Sequence, residues 1–160
     1  MLQQFTFTID KINTLAELNT ADQELIQNAR NATEYAYAPY SKFLVGAAAR
    51  LTNGKIVLGS NQENASYGAA ICAERVLLST LSTIYPKEKI TTLAISYNNL
   101  NASSDKPISP CGICRQSLLE HEMNAKGLLR ILMSGQSGEI WIVEGVKNLL
   151  PLAFSSNSMT

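Results

Sequence analysis

Three cysteines constrain what this chain can fold into, because they fall in two stretches far apart in sequence. The stretches are Cys72-Ala73-Glu74-Arg75 and Pro110-Cys111-Gly112-Ile113-Cys114-Arg115-Gln116. A CxxC pair joined by one distant thiolate makes a half-closed cage for Zn²⁺. Three protein ligands leave a fourth position open. A structural site closes that position with another side chain, whereas a catalytic site keeps a water there and lowers its pKa. Glu74, two residues from Cys72, is the nearest candidate in sequence to exchange a proton with such a water.

Two other uses of the cysteines stand beside this one. A free cysteine is often a small buried hydrophobe, and a CxxC at a helix start can be a thiol redox pair. Taken alone, Cys111 and Cys114 leave zinc and redox chemistry evenly open. Cys72 and Glu74 shift the balance towards metal, since a redox pair needs neither a third cysteine nor a nearby carboxylate. The single histidine does not close the cage. On one helix His121 would stand seven residues beyond Cys114, roughly 10 Å along the axis, whereas a zinc bond spans only about 2.0 to 2.3 Å. His121 is therefore expected to be a surface or half-buried side chain. A disulfide framework is not expected without secretory features.

With 160 residues the chain is expected to form a single domain over residues 1–160, with residues 1–19 as an N-terminal extension. Its formal net charge is zero. No broad basic surface is present to neutralise a phosphate backbone, so a small substrate is expected rather than a nucleic acid polymer. Residues 1–11 lack a positive n-region and an apolar h-region, and no apolar run reaches membrane-spanning length. A cytoplasmic location without a membrane partner is the expectation.

Phe5, Phe7 and Ile9 alternate with polar residues, which predicts a short strand or an arm laid on a neighbour. From Thr20 the pattern turns helical, with Thr20 and Gln23 resembling a capping box and Leu25, Ile26, Ala29, Ala32 and Ala36 on one face. Residues 45–51 and 55–58 flank Asn53-Gly54, a hairpin signal. Ala73, Val76, Leu77, Leu81 and Ile84 recur at helical spacing, so Cys72 falls near a helix start. A strand over 92–96 leads through a polar loop over 98–110 to a second helix at Cys111. Strands over 128–133 and 140–143 and a short closing helix over 146–150 complete the order. The fold class expected is α/β, a three-layer sandwich with a central mixed five-stranded sheet flanked by helices. Helix starts suit the cysteines, because exposed N–H groups and the positive dipole end favour thiolate. Arg75 or Arg115 beside the sulfurs would offset the charge of three thiolates, with a solvated helix charge as the alternative for Arg115.

Four motifs in order carry a resemblance. Ala38-Pro39-Tyr40-Ser41-Lys42-Phe43 with Val45-Gly46-Ala47-Ala48, then Asn61-Gln62-Glu63-Asn64-Ala65-Ser66-Tyr67, then the two cysteine stretches, resemble the small zinc-dependent homotetrameric cytidine deaminases. The resemblance runs over about residues 20–154 and places the chain in the zinc deaminase superfamily, whose catalytic glutamate is not a ligand. It implies hydrolytic deamination of cytidine and deoxycytidine in pyrimidine salvage, with one Zn²⁺ per subunit. It also implies that Cys72, Cys111 and Cys114 bind the metal, that Glu74 shuttles the proton and that Arg75 contacts the metal thiolates. Asn61 and Glu63 would hold the ribose hydroxyls, and Phe43 would pack on the pyrimidine. The Ala73 N–H and the Ser109 carbonyl would orient the base. Phe154, Ala65 and Tyr67 would be offered across subunit interfaces, making composite active sites in a homotetramer. Gln62 departs from the aliphatic residue common at its place. Blasticidin S deaminase shares the metal motifs, and the presence of both Asn61 and Glu63 favours ribose recognition over that rival.

Overall fold

The structure, a computed structural model, describes residues 1–159. Three helices, α1 (Thr20–Ala32), α2 (Ala73–Ile84) and α3 (Gly112–Ala125), surround six strands. The strands are β1 (Asp10–Ile12), β2 (Phe43–Leu51), β3 (Ile56–Ser60), β4 (Ile90–Asn99), β5 (Arg130–Met133) and β6 (Ile140–Glu144). They form one mixed sheet in the order β1-β6-β5-β4-β2-β3, in which only β4 and β5 are parallel neighbours. The expected five strands become six. Pairing at the amino end begins at Asp10 opposite Ile142 and ends at Ile12 opposite Ile140. Residues 5–9 precede it without strand pairing, and Phe5 and Phe7 instead face Leu150 and Pro151. The strand read from the alternation of Phe5, Phe7 and Ile9 forms instead over Asp10–Ile12.

Period-two alternation divides the core into two halves. Ala47, Ala49, Leu51, Leu93, Ile95, Ile131 and Met133 face Leu77 and Leu81 of α2 and Leu118 and Leu119 of α3. Ala48, Ala94, Leu132 and Ile142 face Leu25, Ile26 and Ala29 of α1. This is the expected three-layer sandwich. The run of alanines in β2 keeps both helix layers close to the sheet. At Gly59 in β3 a Cβ would lie 2.6 Å from the Leu77 N, so the glycine is what admits α2 at this distance.

The sheet order also decides where the helices begin. β3 and β4 both run antiparallel to β2 and hence parallel to each other. Their carboxyl ends lie at the same edge, and each is followed by a helix, α2 after β3 and α3 after β4. Ligand crevices form outside the carboxyl ends of such strands.

Several ends are tied by polar side chains. Asn19 caps α1 by accepting the Asp22 N–H at 2.9 Å, one residue earlier than the capping box expected at Thr20, because the Asn19 side chain and not that of Thr20 reaches the free N–H. The buried Glu122 carboxylate accepts the Leu129 N–H at 2.8 Å and the Val146 N–H at 2.9 Å, joining the end of α3 to β5 and to the closing turn. Arg130 bridges Asp22 at 2.7 Å and Glu144 at 3.0 Å, tying α1 to β5 and β6. The closing helix expected over 146–150 is a 3₁₀ turn, Val146–Leu149.

His121, half-buried as expected, accepts the Ile90 N–H on its Nε2 at 3.4 Å. Burial lowers its pKa from the ordinary 6.5. Below about pH 6.5 the unfolded chain binds a proton that the folded chain refuses, so stability falls with falling pH as the unfolded histidine titrates. We expect the urea midpoint to drop between about pH 7 and about pH 5.5, and to drop less in His121→Gln. Equal pH dependence in the two proteins would contradict this.

Candidate active site

Cys72 and Cys111 are the N-caps of α2 and α3, so the two cysteine stretches meet where the two helices start. The Cys72 carbonyl accepts the Arg75 and Val76 N–H groups, and the Cys111 carbonyl accepts that of Arg115. The N–H groups of Ala73 and Glu74 are not needed by the helix itself, which is general for first-turn residues. Both helix starts therefore present donors and a positive dipole end to the same space.

The sulfurs meet in that space. Cys72 Sγ lies 3.7 Å from Cys111 Sγ, and Cys111 Sγ lies 3.5 Å from Cys114 Sγ. All three lie within 4.8 Å of one another. A tetrahedral ion with bonds of about 2.3 Å holds its sulfurs roughly 3.8 Å apart, so the spacing fits zinc. A disulfide would need about 2.05 Å. The third sulfur is what separates this arrangement from a redox pair. His121 is absent from the cluster, in keeping with its expected role.

Proton sharing among the thiols shows how strongly they interact. Hydrogen bonding from Cys114 outweighs burial and, with Cys111, brings the Cys72 thiol down to about 6. Arg75 adds a smaller favourable charge, and Glu74 opposes it. The same contact with Cys72 drives the Cys114 thiol upward, helped by burial. Zn²⁺ would replace these shared protons and leave all three sulfurs as thiolates.

Glu74 is only 4 % exposed, in the first turn of α2. Burial raises its pKa above the usual carboxylate range, against weaker stabilisation by its own N–H and by Cys114. A carboxyl group held this way binds its proton more tightly than an exposed one, which suits an acid-base residue.

Two of the three cysteines border a cavity of about 310 Å³ lined by Phe43, Val45, Asn61, Glu63, Ala70, Ile71, Cys72, Ala73, Glu74, Ile108, Ser109 and Cys111. The volume lies at the small end of the range for small-molecule sites. Phe43, Asn61, Glu63, Ala73 and Ser109 thus line one cavity together with Cys72, Glu74 and Cys111. Asn61 accepts the Val45 N–H at 2.8 Å and donates to the Phe43 carbonyl at 3.0 Å, fixing β2 beside the cavity. Glu63 accepts the Tyr40 and Ser41 N–H groups through Oε2 at 2.9 and 3.3 Å. Hydrogen bonding with the Ser41 side chain, and next these backbone bonds, holds its carboxyl below the usual range despite some desolvation.

Three of the expected residues do not reach this cavity within one chain. Ala65 and Tyr67 lie in the loop before α2, with Tyr67 77 % exposed, and Phe154 is 60 % exposed near the C-terminus. One further residue escaped the sequence reading, and another was read for a different role. Tyr97 stacks on Phe43 with ring centroids 4.8 Å apart and an interplanar angle of 16°, so the Phe43 wall is backed by a buried aromatic ring. Continuing the β4 alternation past Ser96 would have exposed it. Arg115, read either as a thiolate partner or as a solvated charge, is neither. Its guanidinium donates to Pro110 O at 2.8 Å, Leu149 O at 2.8 Å and Ser109 Oγ at 2.9 Å. No periodicity announces acceptors this far apart in sequence.

Comparison with known proteins agrees with this geometry. Residues 19–126 match the family described as the cytidine and deoxycytidylate deaminase zinc-binding region. The cytidine deaminase of Halalkalibacterium halodurans is 37% identical over 137 residues, covering 86% of this chain and 96% of the relative. That of Sporosarcina psychrophila is 35% identical, with coverage of 86% and 94%. The crystal structure of cytidine deaminase from Burkholderia pseudomallei superposes with a TM-score of 0.69 at 38% identity, over 82% of this chain and 97% of that one. The Mycobacterium tuberculosis enzyme gives 0.66 at 34% identity, over 86% and 99%. On sequence, fold and the three-cysteine cluster together, the chain belongs to the zinc-binding cytidine and deoxycytidylate deaminase family.

Proposed function

We propose that this chain hydrolyses the 4-amino group of cytidine and deoxycytidine, giving uridine or deoxyuridine and ammonia, as a step of pyrimidine salvage in the cytoplasm. The observation that carries this reading is the buried Glu74 bordering a nucleoside-sized cavity together with two of the three clustered cysteines. Cys72, Cys111 and Cys114 would hold one Zn²⁺, with Arg75 near enough to offset part of the thiolate charge. When bound, the zinc supplies Lewis-acid chemistry and lowers the pKa of a water at its open position.

The chain's own groups do the rest. Glu74 takes the proton of the water that adds to C4 and delivers it to ring N3. It then takes the proton of the new C4 hydroxyl and gives it to the amine as the C4–N bond breaks and the C4 carbonyl forms, so water is consumed and ammonia leaves. A buried carboxyl suits both directions. The Ala73 N–H, unspent by α2, donates to the base carbonyl, and the Ser109 carbonyl accepts from the 4-amino group. Phe43, backed by Tyr97, packs on the pyrimidine. Asn61 has one amide hydrogen beyond its bond to the Phe43 carbonyl, and the Glu63 carboxylate has lone pairs beyond its bonds to Tyr40 and Ser41, so each can still meet a ribose hydroxyl.

The assembly we propose is a homotetramer. The exposed Tyr67 and Phe154 and the loop carrying Ala65 support it, because a cavity lacking a cover and aromatic side chains lacking a pocket are complementary. Phe154 would cap the base in a neighbour's site.

One zinc per chain is expected by elemental analysis, with occupancy sharply reduced in Cys72→Ala, Cys111→Ala and Cys114→Ala. Full occupancy in all three would exclude the three-thiolate site. Conversion of cytidine to uridine, followed by absorbance, tests the reaction itself. Glu74→Gln should keep its zinc and lose at least ~10⁴-fold in rate, the upper end for general acid-base catalysis, because one carboxyl serves several transfers. Near-normal turnover would remove Glu74 from the mechanism. Mixing inactive Phe154→Ala chains with inactive Glu74→Gln chains should restore part of the activity, since a hybrid interface can unite intact halves. Hybrid tetramers that form and stay inactive would contradict the shared site.

A further inference from the structure

We propose that Arg115 is a positioning residue for the deamination, fixing the Ser109 segment against the helix that carries Cys114. The proposal rests on the reading that Ser109 contacts the base. Arg115 follows Cys114 directly in α3, yet none of its three hydrogen bonds is to a sulfur. Two of them grip consecutive residues, Ser109 through its hydroxyl and Pro110 through its carbonyl, at 2.9 and 2.8 Å. The third anchors the guanidinium to the Leu149 carbonyl at 2.8 Å, in the turn that closes the fold. The zinc helix, the cavity wall and the closing turn thus converge on one planar cation.

Ser109 is the wall that needs holding. It lines both the 310 Å³ active-site cavity and a second cavity of about 220 Å³ on its other side. Phe7, Ile9, Met133, Trp141 and Arg115 itself are among the residues lining that second space. Ser109 belongs to no helix or strand, and the loop between β4 and α3 gives it no ladder partner. Without the guanidinium, the segment has open space on two sides and could shift. A shift of about 1 Å at a group that orients substrate can cost on the order of 10²-fold in rate. Lysine is a poor substitute, because a single ammonium on a flexible stem cannot hold three divergent acceptors in one plane.

A merely structural role and a positioning role differ in which ligands they affect. If Arg115 acts through Ser109, its loss should penalise ligands that carry a 4-amino group and spare those that lack one. The experiment compares wild type, Arg115→Lys and Arg115→Ala for cytidine turnover, zinc content and inhibition by the ribonucleoside of 2-pyrimidinone, which has no 4-amino group. We expect kcat/KM for cytidine to fall about 10²-fold, zinc to stay at one per chain, and the inhibition constant to change less than about threefold. The lysine variant should lie between the other two. Unchanged kcat/KM in both variants would overturn the proposal. So would equal losses for substrate and inhibitor, loss of zinc in step with activity, or failure of both variants to fold, each of which makes Arg115 structural. A wild-type chain that binds zinc but leaves cytidine unchanged would overturn the deaminase reading instead.

Discussion

The structure depends on two helix starts being held within a few ångströms of each other. Cys72 and Cys111 can share one ion only because α2 and α3 begin at the same edge of the sheet, and they do so because β3 and β4 run parallel on either side of β2. Sheet topology therefore sets the metal geometry before any side chain is considered. The helix starts then contribute in a second way. Their unspent N–H groups and positive dipole ends favour the three negative sulfurs, which would otherwise repel one another at 3.5 to 3.7 Å.

Packing keeps the arrangement stiff. Leu77 and Leu81 of α2 and Leu118 and Leu119 of α3 are essentially buried against one face of the sheet, while α1 covers the other face through Leu25, Ile26 and Ala29. Burial of Glu74 follows from the same packing, since its place in the first turn of α2 turns it towards the interior. That burial raises its pKa, as the proton transfers we propose for it require. One feature of the fold thus shapes both the sulfur cluster and the surroundings of Glu74.

Much of this was legible in the sequence because the relevant signals are local. CxxC spacing, Asn53-Gly54 between alternating strands, and apolar residues at helical spacing each reflect contacts within a few residues. The hairpin appears, and all three helices start, where those patterns place them, but α1 ends at Ala32 and gives way to a 3₁₀ turn, so Ala36 is extended and not on its face. What stayed hidden depends on distant partners. β1 forms only because β6 offers an open edge at Ile140 to Ile142, so three unremarkable residues become a strand. Tyr97 matters through its stack on Phe43, across the β2 and β4 pairing. Arg115 matters through Leu149, thirty-four positions away. The cap of α1 was displaced by one residue because Asn19 and Thr20 are both plausible caps and only the backbone turn decides between them.

The central claim is that three thiolates hold one zinc and leave a place for water. X-ray absorption at the zinc edge of the purified chain reads this directly. The account predicts three sulfur neighbours at about 2.3 Å and one oxygen neighbour at about 2.0 Å. A fourth sulfur, or a nitrogen ligand from the protein completing a closed shell, would contradict it.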